Sequence, residues 1–139
     1  FRGRLDKDFP TIPLAELLLE KLQIVKINEK DIKDVIILLR EHFVADNDHE
    51  TINLSHLSKL FAKDWGLYHT AVTNLIKVHG FLKNYSTLKE QDISDVSAKI
   101  DSIIDYVRSA PKSLNWKIRS LIGERKKWYK DVEEIHTAP

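Results

Sequence analysis

An ammonium set among aliphatic side chains is the first place in this chain to look for chemistry. Lys21 lies within Leu14-Ala15-Glu16-Leu17-Leu18-Leu19-Glu20-Lys21-Leu22-Gln23-Ile24-Val25. At about 100° per residue it falls roughly 130° from the centre of the polar stripe Glu16, Glu20 and Gln23, beside Leu14, Leu17, Leu18 and Val25. A buried ammonium is costly unless an anion faces it. Two readings follow. Lys21 snorkels or closes an internal salt bridge to the next helix, or it is aimed at a phosphate or a catalytic carboxylate. Asp31 and Asp34 stand three residues apart on one side of that next helix. Asp31 is its third residue, where orphan amides and the helix dipole favour an acid. Asp34 is too deep for that, and solvation alone accounts for it. Such a pair can hold Mg²⁺, although two acids at this spacing are common.

A second constellation lies further on. Residues 112–130 contain seven Lys or Arg against one Glu. On a helix over 112–134, Leu114, Ile118, Leu121, Ile122, Trp128, Tyr129 and Val132 share one face, expected to be the core side. Arg125 falls near the centre of that face and is expected to be a buried charge that is paired or reaches past the core. Trp116, Arg119, Gly123, Lys126, Lys127 and Lys130 lie opposite. A basic stripe with an outward Trp stacks bases and neutralises phosphates, or anchors a protein partner, or is a solvated face.

Other chemistries are excluded by residue type and spacing. With no Cys there is no disulfide, thiol nucleophile or Cys-ligated metal. His42, His49 and His56 are spaced at seven, which is not a ligand pair, and no metal set is expected. Asp46-Asn47-Asp48 lacks the Gly and the distal Glu of a calcium loop. No Gly-rich phosphate loop, G-x-S-x-G or H-E-x-x-H occurs. The 22 basic and 21 acidic residues balance, so the whole-chain field favours neither nucleic acid nor anionic membrane. No apolar run reaches the roughly 20 residues of a membrane span.

The elements that position these groups are helical. The 139 residues, 42% of them hydrophobic, suit one compact domain. Phe1 to Leu5 alternates as a short strand, and Asp8 to Pro13 breaks it. Helices are expected over 13–26, over 29–45 with Asn28-Glu29-Lys30-Asp31 as a capping box, from an Asn53 cap through Phe61, and over 64–83. A further helix opens at the box Thr87-Leu88-Lys89-Glu90 and stops at Pro111, and the last spans 112–134. Residues 45–51 read as an acidic loop. The fold class is all-α, a bundle of about six helices with a short N-terminal strand remnant. The start at Phe1 and the lack of Met suggest a piece of a longer protein: residues 1–12 the end of an upstream sheet domain or linker, residues 13–139 a C-terminal helical domain.

The run Thr11-Ile12-Pro13-Leu14-Ala15-Glu16 through Val25, followed by Asn28-Glu29-Lys30-Asp31-Ile32-Lys33-Asp34, resembles the C-terminal helical part of nucleotidyltransferase-fold proteins of the abortive-infection type. Asp64-Trp65-Gly66-Leu67, Pro111 to Arg119, Gly123-Glu124-Arg125 and Trp128-Tyr129 are similar to the same group. In such proteins, activity implies a Gly-Ser motif followed by Asp-x-Asp on a strand holding Mg²⁺ with a nucleoside triphosphate. This chain has no Gly-Ser, and Asp46-Asn47-Asp48 falls in a loop. The resemblance therefore implies a non-catalytic domain without its own cofactor, Mg²⁺ and nucleotide belonging to the parent. Lys21, Asp31 and Asp34 would be its contribution to a shared nucleotide cleft, Lys21 neutralising triphosphate charge. The expected partner is the upstream domain, the location cytoplasmic, with no membrane contact and self-association left open. The alternative is a module binding nucleic acid or protein through Trp116, Arg119 and Lys127.

Overall fold

The computed structural model describes residues 13–46 and 51–125. They form six α-helices: α1 (Leu14–Leu22), α2 (Glu29–Glu41), α3 (Leu54–Phe61), α4 (Trp65–Phe81), α5 (Glu90–Ser109) and α6 (Leu114–Ile122). Two short strands, β1 (Phe43–Ala45) and β2 (Thr51–Asn53), pair in parallel with Val44 opposite Ile52. The fold is an all-α bundle, as expected. The strand read over Phe1–Leu5, the domain boundary at residue 12 and everything after Arg125 lie outside the described residues.

Helix starts follow local capping chemistry. Asn28 Oδ1 accepts from the Asp31 amide at 2.9 Å, and Asp31 Oδ2 accepts from the Asn28 amide at 3.4 Å, closing the expected box. Asn53, Asp64 and Ser113 cap α3, α4 and α6 through side-chain oxygens 3.1 Å from the amides of His56, Leu67 and Trp116. The box at Thr87 does not form. Tyr85 O accepts from the Leu88 amide at 3.0 Å in a turn, and α5 begins only at Glu90, with Lys89 at the cap position.

Two boundaries differ from the sequence pattern for identifiable reasons. The second helix stops at Glu41 instead of residue 45, because the β-prone run Phe43–Val44 pairs with Thr51–Asn53, whose Ile52 is fully buried. The first helix stops at Leu22 instead of residue 26. There the Asn74 amide of α4 donates to the carbonyls of Leu22 (2.8 Å) and Ile24 (2.7 Å), holding the chain in a turn. Asn74 itself is buried, so this pair of bonds answers a polar group that would otherwise be orphaned.

The core is continuous. Leu18 and Leu22 of α1 meet Val35, Ile36 and Leu39 of α2, Leu57 and Phe61 of α3, Leu75 and Val78 of α4, and Ile100 and Ile103 of α5. α6 contributes no buried residue and rests on α4. Lys112 prepares that contact. Its Nζ donates to the carbonyls of Val107 (2.7 Å), Arg108 (3.2 Å) and Ala110 (2.5 Å) at the end of α5. The same ammonium lies over the rings of Tyr68 (5.6 Å) and Trp116 (5.2 Å).

Candidate functional site

The capping box of α2 sets the geometry around Lys21. It fixes the Asp31 carboxylate at the start of α2, and α1 packs alongside. Lys21 Nζ lies 3.1 Å from Asp31 Oδ1 and 3.1 Å from Asp34 Oδ2, and Lys30 Nζ is 3.5 Å from that same Asp34 oxygen. Hydrogen bonds to Asp31 and then Asp34 hold the Lys21 ammonium above its usual pKa, against a smaller desolvation effect. The bond from Lys21 holds the Asp34 carboxyl below its usual value. Lys21 thus closes the internal salt bridge to the second helix.

The three candidate cleft residues come together, but they satisfy one another. Two ammonium groups face two carboxylates, so the charges cancel. Asp31 uses one oxygen on Lys21 and the other on the Asn28 amide. Neither carboxylate fits a Mg²⁺ site while Lys21 occupies the space between them. Among the described residues no group of three or more His, Asp or Glu could hold a metal ion. Three of the histidines serve helix contacts: His56 bonds Glu16 of α1, His69 bonds Glu124 at 2.5 Å, and His79 meets Ser97 of α5 at 2.7 Å.

α6 is turned the other way from its sequence reading. Leu114, Ile118, Leu121 and Ile122, the expected core face, are 71%, 51%, 77% and 40% exposed. Trp116, the expected outward anchor, is half-buried and meets Tyr68 edge-on at 5.1 Å. Arg119 lies over Trp65 at 4.7 Å and donates to the Gly123 carbonyl at 2.7 Å. His69 stacks on the same Trp65, 4.7 Å away and 10° from parallel. The face of α4 presented here is aromatic, and ring–ring and cation–ring contacts favour Trp116 and Arg119 over an aliphatic edge. Gly123, at φ 62°, ends the helix in a conformation that favours glycine. Arg125 is exposed, not buried: it lies beyond Gly123, next to the solvent-facing stripe. Lys126, Lys127 and Lys130 lie outside the described residues.

These contacts leave Trp116 unable to stack on a base from solvent without leaving α4. Periodicity misses a further region, a cleft between α3 and α5 of about 800 Å³ whose lining includes Ser55, Ser58, Lys59, Ser102, Asp105 and Tyr106. Its one sequence signal is serine inside helices at positions that face another helix, where Ser is an indifferent helix former.

No protein-family model matches this chain, and no curated protein or solved structure matches it either. Among the described residues no helix is long and apolar enough to cross a membrane.

Proposed function

We propose that this chain is the non-catalytic helical domain of a nucleotidyltransferase-like protein and works by packing against an upstream domain, closing one side of its nucleotide cleft. The observation that carries the reading is the outward face of α6. Single exposed aliphatics are ordinary, but Leu114, Ile118, Leu121 and Ile122 share one helix of nine residues. Their spacing of i, i+4, i+7 and i+8 is that of a helix face laid against an apolar surface. The identity of that surface comes from the sequence resemblance. In this reading Mg²⁺ and the nucleoside triphosphate belong to the upstream domain, and the compensated Lys21 cluster forms a fixed edge.

The test mixes this chain with its separately produced upstream domain and follows co-migration by size-exclusion chromatography. Co-migration is expected, its loss is expected on Leu114→Lys with Leu121→Lys, and Lys21→Ala should leave it intact. Independent migration of the two wild-type pieces, or a stripe variant that still co-migrates, rejects the reading.

A further inference from the structure

The cleft between α3 and α5 carries polar groups that the protein does not use. Ser58 is only 8% exposed, so more than nine-tenths of it is buried, and it lines the cleft. Its hydroxyl has no hydrogen-bond partner among the described residues, as also holds for Ser55, Ser102, Ser109 and the Tyr106 phenol. The Ser58 oxygen itself reaches the solvent of the cleft, since the fully buried side-chain polar atom left without a partner among the described residues is Trp116 Nε1. Lys59 on α3 and Asp105 on α5 stand on opposite walls. Neither has an ion-pair partner among the described residues, and they do not pair with each other.

Each charge has hydroxyl neighbours on its own helix face. Ser55 is four residues before Lys59, and Ser102 and Ser109 are three before and four after Asp105. Leu54, the Tyr106 ring and Pro111 supply apolar lining. One cation cannot hold a polyphosphate, and Asp105 repels any pure anion. A hydrocarbon would leave the hydroxyls and both charges without partners. The complement of this surface carries one ammonium, one carboxylate and an aliphatic body.

We propose that the α3–α5 cleft binds a small aliphatic zwitterion, an amino acid or short peptide with free termini, its carboxylate on Lys59 and Ser55 and its ammonium on Asp105, Ser102 and Ser109. The volume is within the usual span of small-molecule sites, about 300–1,000 Å³. This assignment is independent of what covers α6.

The test titrates the chain with L-leucine, leucyl-leucine, leucinamide and N-acetyl-leucine while following backbone amide resonances by NMR. Saturable shifts at Ser55, Ser58, Ser102 and Tyr106 are expected with leucine or leucyl-leucine, and the tighter of the two sets the length of the ligand. Blocking either terminus should weaken binding about tenfold or more, the scale of one lost charged hydrogen bond. Lys59→Ala should erase the preference for leucine over leucinamide only. Asp105→Asn should erase the preference for leucine over N-acetyl-leucine only. Both positions are outside the core, and unchanged circular dichroism verifies each fold. Shifts that do not saturate by about 10 mM, shifts located elsewhere, or blocked ligands binding as well as free ones each overturn the assignment.

Discussion

Two polar regions of this bundle are built on opposite plans. At the α1–α2 edge, Lys21, Asp31, Asp34 and Lys30 consume each other's charge, Asn28 completes the bonding of Asp31, and Asn74 of α4 satisfies the carbonyls of Leu22 and Ile24 just after Lys21. Between α3 and α5, Lys59, Asp105 and several hydroxyls line a cleft without touching a protein partner among the described residues. The contrast teaches that a charged residue in an apolar sequence context is a poor guide to ligand binding by itself. What separates the two regions is whether the fold has already supplied the counter-group.

The comparison can be broken by stability measurements. Removing a group from the satisfied edge should cost, whereas removing one from the cleft should not. The largest effect is expected for Asn74→Ala, which strips the buried Leu22 carbonyl and the Ile24 carbonyl of their donor. A loss of about 1–3 kcal/mol is expected in urea denaturation, and an unchanged midpoint would show that the turn after α1 holds without it. Ser58→Ala should move stability the other way, by about 0.5 kcal/mol, since the hydroxyl has no protein partner to lose and Ala is the better helix former. A destabilised Ser58→Ala would mean that the hydroxyl has a partner in the fold.

Smaller still is Lys21→Ala, which should lower the urea midpoint near neutral pH and more so at low salt. Its pH dependence has a definite sign. The folded pKa of Asp34 is lowered, so the pair's contribution is present above the ordinary carboxylate range and disappears as pH falls through that lowered value. The folded pKa of Lys21 is raised, so on the alkaline side the contribution is fully present below the ordinary lysine pKa and is lost as pH rises from there through the raised value. Variant and wild type should therefore converge at both extremes. The smallest effect is expected for Lys59→Ala, within about 0.5 kcal/mol of wild type, measured in the same urea series.

Much of the architecture was legible because the relevant signals are local. Asn28 and Asn53 cap where their side chains can reach an amide three residues on, and Pro111 follows the end of α5. The Ile and Val spacing over 93–107 marks the buried side of α5. The partner of Lys21 was one of two open readings, and the structure supplies it from α2. The failures were matters of tertiary choice. Nothing in the pattern of α6 says that α4 would present Trp65, Tyr68 and His69 to it, and that aromatic face reverses the helix. The short sheet escaped because three-residue strands are below any periodic signal. The cleft escaped because serines on two separate helices read as solvent-facing until the helices are placed side by side.

Lys112 couples two events that would otherwise be independent. Its ammonium terminates α5 through three carbonyls and supports the indole of Trp116. Detaching α6 therefore disturbs the group that holds the last turn of α5 together. The final amides of α5 and those of α6 should exchange with deuterium as one cooperative unit, so a partner that seizes α6 would be felt at the carboxyl end of a helix it never touches.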